Sequence, residues 1–109
     1  MTVNELAKEL SLKPLAVPDG EREVTGGYVG DLLSWVMGRA RAGQAWITIM
    51  SNINILAVAA LADVSCILLA EGVLPEEEVR RTAEEKGINL FSAEGTAFQI
   101  AAALSGALT

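Results

Sequence analysis

Gln44-Ala45-Trp46-Ile47-Thr48-Ile49-Met50, then Ser51-Asn52-Ile53-Asn54, then Ile55 to Ala62, then Asp63-Val64-Ser65-Cys66-Ile67-Leu68-Leu69-Ala70, is the stretch on which the fold turns. Its first run is rich in Ile, Thr and Trp, residues that suit a packed, pleated surface. The polar cluster reads as a turn, the Ala- and Leu-rich run as a short helix, and Val64–Ala70 as a second buried strand. The connection from Met50 to Val64 supplies the roughly dozen residues that a parallel crossover needs. Strands that are apolar along their whole length are covered on both faces, as in a parallel sheet between helices. A membrane span is the competing reading, because Asp63 is the only charge between Gln44 and Glu71. The polar cluster, the depth of Asp63 and the lack of flanking Lys or Arg disfavour it.

Working outward, the length of 109 residues sets one domain, and the 51% hydrophobic residues fill a core. A net charge of −6 disfavours nucleic acid and anionic membrane surfaces as partners. There is no histidine, which removes the commonest general base and metal ligand. The single cysteine, Cys66, lies within the second apolar strand and has no internal disulfide partner. With an N-terminus that lacks the layout of a signal peptide, this points to a cytoplasmic location.

Upstream, Thr2 and Glu5 make a capping box for a helix over about residues 2–11, with Val3, Leu6 and Leu10 on one face. Lys13–Val17 reads as a weak edge strand containing Pro14, and Pro18-Asp19-Gly20 as a turn. Glu21–Val24 is expected to end a strand, and Thr25-Gly26-Gly27-Tyr28-Val29-Gly30 to form a Gly-rich corner opening a helix. That helix runs from Asp31 to Arg41, with Leu32, Leu33, Val36, Met37 and Ala40 as its apolar stripe and Gly43 at its end. Trp35 lies off the stripe, as a second buried contact or as part of an exposed patch.

Downstream, Pro75 is expected at the first position of a helix, with Glu76–Arg80 and Glu77–Arg81 paired at i, i+4. Gly87 ends it, Ile88–Phe91 is a last strand, and Ser92 caps a final helix in which Ala97, Ala101, Leu104 and Leu108 align. The order αββαβαβαβα predicts an α/β fold: a three-layer α/β/α domain with a mostly parallel sheet.

Ligands of such sheets bind beyond the carboxyl ends of the strands. The candidate binding residues at strand exits are Thr25, Gly26 and Gly27; Ser51, Asn52 and Asn54; and Glu71 and Gly72, with Ser92 at a further exit. They offer hydroxyls, amides, close backbone approach and helix N-termini suited to an anion. The competing reading is that Ser, Asn and Gly there are ordinary caps and turn formers. Gly38 and Gly43 have P-loop spacing, but Gln44-Ala45 replace the Lys and hydroxyl, and helix precedes strand, so no nucleotide hydrolysis follows. Asp19, Glu21 and Glu23 alternate as a hard-cation site would, or as a solvated strand edge does. Without histidine no conventional catalytic triad can be built. An enzyme acting through Thr25, Ser51 or Cys66 is a third reading, but the sequence gives it no general base, metal site or cofactor fingerprint, so the chain reads as a non-enzyme.

Val24-Thr25-Gly26-Gly27-Tyr28-Val29-Gly30-Asp31-Leu32-Leu33-Ser34 resembles the DRTGG domain family, and the similarity continues through Trp46-Ile47-Thr48, Asn52, Ala62-Asp63 and Glu71-Gly72, from about residue 17 onward. Only Thr25, Gly26 and Gly27 match the naming motif; Glu23 and Val24 stand in place of Asp and Arg. The resemblance implies a regulatory module of the kind found beside CBS domains in some pyrophosphatases and phosphate acetyltransferases. Its fold is similar to the N-terminal domain of HPr kinase. It implies a dimerising or ligand-sensing part rather than a catalytic one; together with the polar strand exits, this points to a homodimer that senses a nucleotide, phosphorylated metabolite or other small anion at the Thr25, Ser51 and Asn52 rim. A ligand-free adaptor for a partner enzyme is the alternative.

Overall fold

The central strand–helix–strand unit forms as its composition dictates. In the computed structural model, which describes residues 1–109, β3 (Gln44–Thr48) lies parallel to β4 (Cys66–Leu69), joined by α3 (Asn54–Ala62). Alternate side chains of each strand enter opposite layers. Ala45, Ile47, Cys66 and Leu68 face one way; Trp46, Ile67 and Leu69 face the other. All are fully buried, each large one contributing roughly 1.5–3 kcal/mol.

Around this unit stand α1 (Val3–Glu9), β1 (Lys13–Ala16), β2 (Gly26–Val29), α2 (Leu33–Arg39), α4 (Glu77–Lys86), β5 (Leu90–Ser92) and α5 (Ala97–Leu108). The sheet order is β1-β5-β4-β3-β2, parallel except for β1, which is antiparallel to β5. Val36 of α2, Ile55 and Ala59 of α3, and Val79 and Ala83 of α4 pack on one face; Val3 and Leu6 of α1 and Ile100 and Leu104 of α5 pack on the other. The expected element order and three-layer α/β architecture are therefore present.

Local details differ from expectation. Gly26 and Gly27 lie in a strand, β2, instead of in a corner; Glu21–Val24 contributes only the Thr2–Glu23 bridge. Glycine's low strand propensity misleads here, because β2 is held by its register with β3, Gly26 opposite Gln44 and Tyr28 opposite Trp46. The second helix starts at Leu33, because Asp31 bonds to β3 instead of capping; Leu32 and Met37 of the expected stripe are exposed. Helix α4 starts at Glu77, past Pro75, and its ion pair is Glu77–Arg80 at i, i+3. Ser92 belongs to β5, and α5 is capped by Thr96, whose hydroxyl accepts from Gln99 N while the Gln99 side chain accepts from Thr96 N.

Candidate functional site

The parallel strands run in one sequential direction, and their crossover helices α2, α3 and α4 all cover the same face. A ligand crevice in an open α/β sheet arises where successive crossovers diverge to opposite faces. No such divergence occurs among β2–β5, so the carboxyl end is a shallow rim. Its main recess, about 300 Å³, is lined by Ser51, Asn52, Ile53, Glu76, Glu78 and Val79 between the β3–α3 turn and the start of α4.

The predicted residues divide between the two ends of the sheet. Ser51, Asn52, Asn54, Glu71 and Gly72 lie beyond the carboxyl ends of β3 and β4. Thr25, Gly26 and Gly27 stand at the amino end of β2, level with Gly43–Ala45. About 13 Å of strand β3 separates the groups, at roughly 3.3 Å per residue. The expectation that all strand exits converge is thus corrected: the Thr-Gly-Gly segment enters a strand rather than leaving one. It lines a separate cleft of about 360 Å³ beside α5, with Val29, Leu104 and Ser105 among its walls.

Within the carboxyl-end set, most backbone donors are engaged. The Asn52 Oδ1 accepts from Asn54 N (2.9 Å), and the Asn52 carbonyl accepts from Ile55 N (3.2 Å). Glu71 and Gly72 both adopt left-handed backbone, φ +63° and +68°, and donate to the Gly95 and Ala93 carbonyls at 2.8 Å. Their amides lock the β4 exit to the β5 exit and are not free to hold an anion. Ser92 donates to the Val73 carbonyl (2.7 Å). The side chains of Asn52, Asn54 and Glu71 project into solvent. Asp31, Glu71, Glu76, Glu78 and Glu94 make the rim acidic; Lys13 stands near Gly72 and Glu94 in a smaller recess. Arg80 is held by Glu77 in an exposed pair that lowers the glutamate's pKa and raises the arginine's.

The exits of β2 and β3 are stapled together. Asp31 Oδ1 accepts from the Thr48 hydroxyl (2.7 Å) and from Ile49 N (3.0 Å), and the Trp46 indole donates to the Gly30 carbonyl (2.9 Å). Around this staple Leu32, Ile49 and Ile53 are exposed, and Trp35 is 52% exposed beneath the Arg39 guanidinium, 3.7 Å from the ring centroid.

The amino end contrasts with this rim. Asn89 is buried, donates to the Asp19 and Ser65 carbonyls and accepts from Asp19 N. The Ser65 hydroxyl lies against the Glu23 and Gly43 carbonyls. Asp63 takes a left-handed C-cap conformation, φ +59°, and pairs with Arg22 at 2.8 Å. These bracing residues gave no sequence signal, because each works through partners more than twenty positions away. Glu21 and Glu23 are drawn apart, onto Asn4 and the N-terminal amine. Cys66 is buried between α1, α5 and the sheet, and burial pushes its thiol up to about 12, so it carries no nucleophilic thiolate at neutral pH. No helix is long and apolar enough to cross a membrane.

Against known proteins, this fold is similar to a crystal structure of the CBS and DRTGG domains of the regulatory region of Clostridium perfringens pyrophosphatase, complexed with the activator diadenosine tetraphosphate. The TM-score is 0.70 at 16% identity, over 94% of this chain and 47% of that one, so the chain spans about half the length of that structure. No curated protein matches the chain. The family model of the DRTGG domain matches residues 28–107, beginning just after Thr25-Gly26-Gly27. With that match running from β2 almost to the end of α5, the chain belongs to the DRTGG domain family.

Proposed function

We propose that this chain is a non-catalytic regulatory domain that senses a nucleotide at its carboxyl-end rim and acts as a homodimer. The observation that carries the reading is the recess between Ser51-Asn52 and Glu76–Glu78, in a fold shared with a regulatory region that binds a nucleotide activator. The chemistry of the rim selects which part of a nucleotide it grips. The amides of Asn54, Glu71 and Gly72 are engaged, and the charges at the recess, Glu76 and Glu78, are carboxylates, a poor match for phosphate. The Asn52 amide and Glu76 and Glu78 carboxylates suit base edges and ribose hydroxyls. The nucleoside is therefore the anchored part, with Asn54, Glu71 and Gly72 bordering the site and the phosphates turned to solvent. Binding needs no general base, in keeping with a histidine-free chain whose one thiol is buried.

Thermal-shift titration with AMP, ATP and diadenosine tetraphosphate, against inorganic phosphate, tests the reading. A nucleotide at ten times its Kd stabilises by about 1.4 kcal/mol, a shift of roughly 6–11 °C for a domain this size. Phosphate alone should give none. Uniform absence of a shift would remove the sensing role.

The alternative, a ligand-free adaptor, is favoured by one observation: the exposed Leu32, Trp35, Ile49 and Ile53 beside the Asp31 staple. Asn52→Leu separates the two, since an adaptor keeps its partner enzyme and a sensor loses its ligand.

A further inference from the structure

The two edges of the sheet are built differently. Edge strand β1 carries Lys13 and Pro14, and its register with β5 breaks between Pro14 and Ala16. Charge, proline and irregularity are the devices by which natural sheets discourage edge pairing. Edge strand β2 has none of them: Thr25 to Gly30 contains no charge and no proline. Gly30 N donates to the Ile47 carbonyl, and amides alternate in direction along a strand, so the N–H and C=O groups of Gly27 and Val29 point away from β3. Both residues are exposed, Val29 at 50%.

The surface next to this edge is also free of charge. Helix α5, twelve residues from Ala97 to Leu108, has no ionisable side chain. The side chains lining the cleft between α5 and β2 are all uncharged. Helix α3 is uncharged as well, but its neighbour α4 is charged along its length, with Glu77, Glu78, Glu84 and Glu85 interspersed with Arg80, Arg81 and Lys86. Two copies meeting there would have to desolvate and match charges of both signs, whereas β2 and α5 bring no charged side chain.

We propose that the β2 edge is the seam of a homodimer, in which two copies of β2 pair antiparallel about a two-fold axis and join the two sheets. This deepens the self-association in the reading above and rests on it. The outward groups fix the register: Gly27 exchanges backbone hydrogen bonds with the partner's Val29, and Tyr28 lies on the axis. Val29 and Gly27 both face α5, so each Val29 side chain packs over the partner's Gly27, against the Leu104 side chain that covers it. A Cβ at Gly27 would lie 2.5 Å from Leu104 Cδ2, so the position has no room for a side chain of its own.

Sedimentation velocity across a concentration series tests the seam, using the whole chain, Val29→Glu and, as control, Leu61→Glu on the 74%-exposed outer side of α3. The wild type should dimerise, Val29→Glu should weaken the dimer by at least about tenfold, and Leu61→Glu should leave it unchanged. Hydrogen exchange on the unmutated chain gives a second readout: Gly27 and Val29 amides protected at high concentration and fast on dilution. A dimer that survives Val29→Glu, or in which those amides exchange fast, overturns the seam but leaves self-association standing. A wild type that stays monomeric at high-micromolar concentration overturns both and leaves the edge to a strand of a different protein.

Discussion

The two ends of the parallel sheet use the same kinds of residue for opposite purposes. At the amino end, Asn89, Ser65 and Arg22 turn inward or along the surface and spend their hydrogen-bonding capacity on protein partners, Arg22 on Asp63, tying the β1–β2 connection to the starts of β3 and β4. At the carboxyl end, Asn52, Glu76 and Glu78 face solvent around a recess. The contrast teaches that polar residue type does not mark a site; what matters is whether the fold has already used the group. A buried amide with every donor satisfied holds the structure, and an exposed amide with its nitrogen free is available to a ligand.

The largest test of this contrast is Asn89→Leu. It leaves the buried Ser65 carbonyl and the Asp19 amide without their partner, while the Asp19 carbonyl keeps Arg22 N, and should cost about 2–3 kcal/mol in urea unfolding. A loss below about 1 kcal/mol would mean that the amino-end brace is dispensable. Ser65→Ala should cost less, about 1–2 kcal/mol, because the Gly43 carbonyl keeps the Thr25 amide as a donor. Asn52→Leu, at the other end, loses only the exposed cap to Asn54 N and should cost about 0.5–1 kcal/mol, yet abolish the nucleotide-dependent thermal shift. If it destabilised the fold as Asn89→Leu does, the contrast between the ends would collapse.

The smallest effect is acidic. The Glu5 carboxyl is lowered from 4.5 first by the Thr2 amide it accepts from, and that of Glu77 first by hydrogen bonding from Arg80. A carboxyl with a depressed folded-state pKa stabilises above its unfolded value and loses that contribution as pH falls through the folded one. Unfolding midpoints should therefore show no change from these groups between pH 6 and 8, then decline below about 4.5, and the decline should be shallower in Glu77→Gln. Both groups are fully exposed, so solvent screening keeps the change slight.

Much of the fold was legible because apolar runs of strand length alternate with helix-length runs from Gln44 onward, and composition alone separates Trp46-Ile47-Thr48 from Leu56–Ala62. Strand β2 was not legible: Gly26-Gly27 carries the local signature of a turn, and only the ladder with β3, a non-local fact, makes it a strand. The same fact moved Thr25-Gly26-Gly27 to the far end of the sheet from Ser51-Asn52. The loops beyond β3 and β4 were legible as exits, because polar residues follow apolar strands there. That their backbone amides would be occupied by Asn52, Ala93 and Gly95 depended on three-dimensional neighbours and could not be read in advance.

The most direct measurement is a ¹H–¹⁵N correlation spectrum of the whole chain titrated with ATP. The account predicts shifts confined to the amides of Ser51, Asn52, Ile53 and Glu76–Val79, with Ser65, Asn89 and Gly43 unmoved. Perturbations centred on the amino end, or none at saturating nucleotide, would contradict it.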